Sequence, residues 1–304
     1  MLSELLAPAL RWLTWSGVAV SMLLGVMTLS RESEAPKPMS KERELLIQRT
    51  RAELEPDPLT PHPSQTLPKA LASARDLIDS GQIEAGVRDL ETLRAKNPLA
   101  TEPLIELGTI KLVAQAKPKE ALSLWIHALA INPEHRDLMR QVMRLFVKTD
   151  LRAGRHFFDR LKVPASMTGV LDYCRGSLLL AEGEAQEAVA YLERAVLDDA
   201  DSYLAWHALA RVRDRLNEGK QAYEGFEEAR KRLETVIQRR QVAGEPIENL
   251  TSLWSEIQFD AVESLLRHGL LPEAYELLIR LAERLPNDPR VTSLIDNVRD
   301  RFAG

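Results

Sequence analysis

Small residues return along this chain at a fixed interval. Ala74 and Gly108 are 34 residues apart, as are Gly176 and Ala210, and the position between the two pairs is held by Val142. Twelve or thirteen residues after each comes a second small series: Gly86, Ala121, Gly154, Ala188 and Ala222. Four residues beyond each of these stands a large apolar side chain: Leu90, Trp125, Phe158, Leu192 and Phe226. Three further on are Leu93, Ala128, Leu161, Ala195 and Ala229. Spacings of three and four put residues on one helical face. A small residue in each of two successive helices lets their axes approach, and the large residue fills the groove between that pair and the next. Gly81 and Gly183 fall between helices, where the chain must turn, and Pro98 and Pro133 close units. Two short helices cannot bury their own apolar face, so such units must stack.

The run from Gly176 to Ala195, GSLLLAEGEAQEAVAYLERA, resembles the tetratricopeptide repeat family, whose period is 34 residues. Trp206, Leu209, Ala210, Ala222, Phe226 and Ala229 also match that family's pattern. The resemblance covers roughly residues 67–304. It implies an all-α fold in which about six helix-turn-helix repeats form a right-handed superhelix. The unit from Glu134 to Pro164 departs from the pattern, with Val142 in place of the small residue and a short second helix. After Ala229 the period breaks, and the signature resumes at Val262, Ala274, Leu278 and Leu281. Lys220 to Val242 therefore reads as one long helix, ended by Gly244 and Pro246. Pro289 to Phe302 reads as a final helix covering the last repeat.

The region before the repeats divides in two. Trp12 to Leu29 carries no charge and is bracketed by Arg11 and Arg31. Its 18 residues would span about 27 Å as a helix, close to the hydrocarbon thickness of a bilayer. Residues 1–30 are therefore expected to form a single N-terminal transmembrane anchor in the lipid bilayer, with Trp12 and Trp15 near the interface. A cleaved signal peptide, leaving a secreted soluble protein, is the alternative; Thr28-Leu29-Ser30 is only a partial cleavage signature. Arg31, Lys37, Lys41 and Arg43 follow the segment, which by the charge rule favours a cytoplasmic C-terminal side. The export-like form of the head favours the periplasm of a bacterial inner membrane, and the side stays open. Residues 31–66 read as a proline-rich tether, with a short helix begun by Ser40 and bearing Leu45, Leu46 and Leu54.

Chemistry-bearing patterns do not emerge. The formal net charge of -5 argues against nucleic-acid partners. Cys174, the one cysteine, excludes an internal disulfide and a multi-cysteine zinc site. No paired histidine metal motif, phosphate loop or nucleophile elbow appears, so no catalytic residue, metal or cofactor is expected.

The resemblance implies that the first helix of each unit lines an inner wall. Its middle would hold Arg136, Met139, Arg140, Met143 and Phe146, then Tyr173 and Ser177, then His207, Arg211 and Arg215. Methionine and aromatic side chains offer adaptable apolar contact, and arginine offers forked donors to carboxylates. The alternative is that Met139, Met143 and Phe146 are core and the arginines merely solvated. The asparagines and lysines with which this family clamps a terminal carboxylate are absent at the matching positions. The expected partners are other proteins or peptide segments, and the expected role is a membrane-tethered scaffold, assembly factor or chaperone-like adaptor, not an enzyme. An accessory or regulatory subunit of a membrane enzyme or polysaccharide-export complex is the runner-up.

Overall fold

The computed structural model of the protein describes residues 68–303, and the expected anchor and the tether before Pro68 lie outside the described residues. Among the described residues there are thirteen α-helices and one short 3-10 turn. The first six helices are α1 (Pro68–Asp79), α2 (Ile83–Lys96), α3 (Glu102–Val113), α4 (Pro118–Ile131), α5 (Arg136–Thr149) and α6 (Leu151–Arg160). After the turn Ala165–Met167 come α7 (Thr168–Glu182), α8 (Ala185–Asp198), α9 (Tyr203–Arg215) and α10 (Gly219–Ala243). The chain closes with α11 (Glu248–Arg267), α12 (Leu271–Arg284) and α13 (Pro289–Ala303). None of them is both long and apolar enough to cross a membrane.

The helices pair in chain order, and the small residues mark where each pair closes. A Cβ added at Gly108 in α3 would lie 2.3 Å from the Trp125 ring of α4. One added at Gly176 in α7 would lie 2.6 Å from Leu192 of α8. The large residue thus rests on the small residue of its own pair, as well as filling the space toward the next pair that the spacing predicts. Trp125 is fully buried, and its Nε1 donates to the Ile105 carbonyl at 3.1 Å, so the ring is fixed at both its apolar and its polar end. Gly81 and Gly183 have φ of +85° and +94°, the left-handed conformation that ends α1 and α7 without a Cβ clash.

The irregular unit keeps its place by other means. Val142 is buried where a small residue is missing. Close approach moves one turn along, where Gly154 of α6 lies against Phe146 of α5. Phe146, Phe157 and Phe158 then pack together, two of the three pairs edge to face, with centroids 5.1–6.3 Å apart. Asp150 ends α5 and starts α6, its carboxylate accepting from the Ala153 amide at 2.9 Å. As the spacing predicts, α10 runs for 25 residues to Gly244, whose φ is +71°. Val291 and Val298 of α13 close the apolar cluster of the last pair.

First helices also pack side by side, α5 on α7, α7 on α9 and α9 on α11, more closely than second helices do. The layer therefore curves with its first helices on the inside.

Candidate protein-binding wall

Because the period is 34, equivalent inner-wall positions can be read directly. Ile105, Met139, Tyr173 and His207 form one row; Thr109, Met143, Ser177 and Arg211 form the next. Met139 and Met143 are buried, at 0% and 3% exposure, as is Phe146. These three belong to one apolar cluster with Trp125, Phe158 and Leu178, so they support the wall instead of offering surface. That corrects the expectation that Met139 and Met143 make partner contacts.

His207 is buried as well. Its Nε2 lies 2.8 Å from Asp260 of α11, and its ring packs against Phe226. It joins two first helices and is not available to a partner. Arg136 is committed at the edge, with Nη1 3.3 Å from Asp199 and Nη2 donating to the Ser166 carbonyl at 3.0 Å. Arg215 donates to the Leu180 carbonyl in the last turn of α7, where a cation meets the negative end of a helix. Neither reaches the group around Arg140. Arg211 stays half exposed, 3.7 Å from Asp260.

What remains is a small polar and aromatic patch where α5, α7 and α9 meet. Arg140 donates to Asp137 at 3.0 Å, and its buried Nε has no acceptor. Burial works against the charge of this guanidinium, but the attraction of Asp137, aided by Tyr173 and Tyr203, overrides it and holds the group above its ordinary range. Burial pushes the Tyr173 hydroxyl up, despite Arg144, Arg140 and a hydrogen bond with Ser177. Burial likewise raises Tyr203, which also feels Arg140 and Arg144. Both phenols therefore stay neutral and able to donate at physiological pH, beside a cation with unused donor capacity. The patch suits a carboxylate or carbonyl flanked by apolar groups. Cys174, directly beneath, is inert: burial pushes its thiol up to about 12, and its Sγ lies 3.9 Å from the Met139 carbonyl.

The structure thus brings together Arg140, Tyr173 and Ser177, and adds Asp137, Arg144 and Tyr203, which the sequence reading did not name. Tyr203 had a readable signal, since it stands one helical turn before His207 and so on the same face. Elsewhere, a cavity of about 330 Å³ between α6, α7 and α8 is lined by Arg155, Asp159, Arg175, Glu187 and Tyr191. Its arginines are already paired: Arg155 reaches Glu182 and Glu187 at 3.1 Å, and Arg175 donates to the Phe158 carbonyl. Among the described residues no cluster of histidine, cysteine or carboxylates could hold a metal ion.

No protein-family model matches the chain, and no curated protein matches it in sequence. Solved structures do resemble it in shape. PilW, a widely conserved type IV pilus biogenesis factor, aligns over 76% of this chain and 99% of its own, at 14% identity and a TM-score of 0.54. The APC/C hetero-tetramer Cut9–Hcn1 aligns over 84% of this chain and 46% of its own, at 12% identity and a TM-score of 0.51. YrrB, a TPR protein with an unusual peptide-binding site, aligns over 69% of this chain and 97% of its own, at 15% identity and a TM-score of 0.42. Together with the helix pairs and their 34-residue register, the likenesses to PilW and to Cut9–Hcn1 establish the fold as a tetratricopeptide-type stack of helix pairs.

Proposed function

We propose that this protein is a membrane-tethered adaptor that holds a segment of a partner protein against the inner wall of a right-handed superhelix of repeats. The observation that carries the reading is the patch of Arg140, Tyr173, Ser177 and Tyr203. It joins a guanidinium with an unused donor to two neutral phenols on the inner face. An acidic or terminal peptide segment meets both needs, carboxylate to arginine and apolar stem to tyrosine rings. The uncharged run Trp12–Leu29 supports the anchor, in a bacterial inner membrane.

The experiment places a photoreactive side chain at Ser177 in intact cells, and another at exposed Lys220 on α10 as the control. The adaptor reading expects a protein partner joined at Ser177 and absent at Lys220. The same products at both positions would place recognition elsewhere, with the basic outer stretch of α10 around Arg230 to Arg240 the next surface to test. For the anchor, full-length protein should stay with membranes through high-salt and alkaline washing. Release by salt alone would remove the span from the account.

A further inference from the structure

The floor and the sides of the inner wall differ in charge at the patch. Along α7 the inward line is uncharged: Tyr173, Ser177 and Ala181 follow one another at a spacing of four, each partly or fully exposed. On the α5 side stand Arg140, Arg144 and Lys148, again spaced by four, with Arg144 and Lys148 exposed. Arg140 and Arg144 both act on the Tyr173 and Tyr203 hydroxyls, so this line of cations turns toward α7 and α9. On the α9 side Arg211 is half exposed and loosely paired, 3.7 Å from Asp260. Asp137 and Asp260 answer part of the charge, yet Arg140 keeps a buried Nε without an acceptor. An uncharged trough along α7 thus runs between cations on both sides.

We propose that the wall reads an internal, extended segment of its partner whose carboxylates stand at alternate positions, three of them along Arg140, Arg144 and Lys148. The intervening side chains turn to α9, where Tyr203 and Arg211 stand. The inference rests on the adaptor reading and deepens it: what is recognised is the spacing of charge along the segment, and no free chain end is needed. The dimensions carry it. A helical rise of about 1.5 Å per residue sets successive cations of α5 about 6 Å apart and the outer two about 12 Å apart. An extended chain repeats its side-chain direction every second residue, at about 6.6–6.8 Å, and covers about 13 Å in four steps. The two ladders match rung for rung, and each carboxylate meets a charged donor. A terminal carboxylate would engage one rung and leave the others unmatched. A partner helix also brings side chains every 6 Å or so at a spacing of four, but it is about 10–12 Å wide. That exceeds the step of about 8–10 Å from α7 to either neighbour, whereas an extended chain needs about 5 Å.

The test titrates the purified full chain with peptides blocked at both ends. One carries aspartates at alternate positions, Asp-Leu-Asp-Leu-Asp, and its isomer carries them together, Asp-Asp-Asp-Leu-Leu. The proposal expects the alternating peptide to bind about tenfold tighter or more, and equally well when its C-terminus is free. Its affinity should fall about tenfold in Arg144→Gln and stay unchanged in Lys220→Gln, with helix content as the control. Equal affinity for the two isomers would mean that charge alone is read. Binding that needs a free C-terminus, or that favours an alanine-rich helical peptide with aspartates spaced by four, would mean a different mode of recognition. Each of these results overturns the proposal, and so does the absence of binding by every peptide. The isomer comparison uses the unaltered chain, so it stands whatever Arg144→Gln does to the fold. Partner capture at Ser177 reads separately, so the adaptor reading can stand when the spacing rule fails.

Discussion

Between α3 and α7 the helices meet chiefly through methionine, phenylalanine, leucine and Trp125. Between α9 and α11 they meet in part through aspartate, histidine and serine. Asp214 accepts from the Ser264 hydroxyl at 2.7 Å, lies 3.0 Å from His268 Nε2 and is ion-paired with Arg267. Asp260 holds His207 and Arg211 from the opposite side. The difference follows the repeat. Where the small-residue register holds, apolar shape does most to set how helices stack, and ion pairs such as Arg155–Glu182 and Arg194–Asp172 lie at its margins. Where α10 overshoots the period, shape no longer fixes how α11 returns, and directional polar contacts take over. Glu234 extends this polar end: it accepts from Trp254 Nε1 at 2.9 Å and pairs with Arg230 and Arg284.

The largest expected effect tests the apolar half. Trp125→Ala removes a fully buried ring and should cost about 3–5 kcal/mol in denaturant unfolding. A cost below 1 kcal/mol would mean that the register through Gly108 and Trp125 does not carry this half. In the polar half, Asp214→Ala leaves Ser264 and His268 without their shared acceptor and should cost about 1–3 kcal/mol. It should raise hydrogen exchange in α11 more than in α5. Equal change in both helices would erase the proposed division.

Acid should separate the halves further. Burial works to raise the Glu234 carboxyl, but Trp254, Arg230 and Arg284 outweigh it and hold the group below its ordinary value of 4.5. A group lowered on folding stabilises fully above its unfolded value and loses that stabilisation as pH falls through the folded value. The α10–α11–α12 junction should therefore loosen below about pH 4.5, ahead of the Trp125 cluster, beside which the lowered carboxylate of Glu120 is half exposed and its pairing with Lys111 and Lys117 is screened by solvent. Hydrogen-exchange protection of the peptides of α10–α12 and of α3–α5 in the unaltered chain, followed against pH and corrected for intrinsic exchange, would show the order. The smallest effect is at exposed Arg239, where alanine should change stability by less than about 0.5 kcal/mol.

Most of the fold was legible because close helix approach demands small residues, and these stand out at a 34-residue period. The long α10 was legible for the converse reason: between Lys220 and Val242 there is no proline and no stop signal beyond Gly225. The wall was less so. The period placed Met139, Tyr173 and His207 in one row, but burial along a row depends on what lies across the groove. The same row therefore holds a core methionine, a half-exposed tyrosine and a buried histidine. Arg136 and Arg215 looked like wall residues by spacing. Their long side chains instead reach a carbonyl in the turn before α7 and another in its last turn, a choice that spacing does not encode.

The central claim is that the patch around Arg140 recognises protein. Its most direct test is the affinity of purified Arg140→Gln and Tyr203→Ala chains for the partner captured at Ser177, with helix content and melting temperature as controls. The account predicts a weakening of about tenfold to a hundredfold for Arg140→Gln, from the loss of one charge-assisted contact, with helicity intact. Unchanged affinity in both chains, with helicity intact, would contradict it.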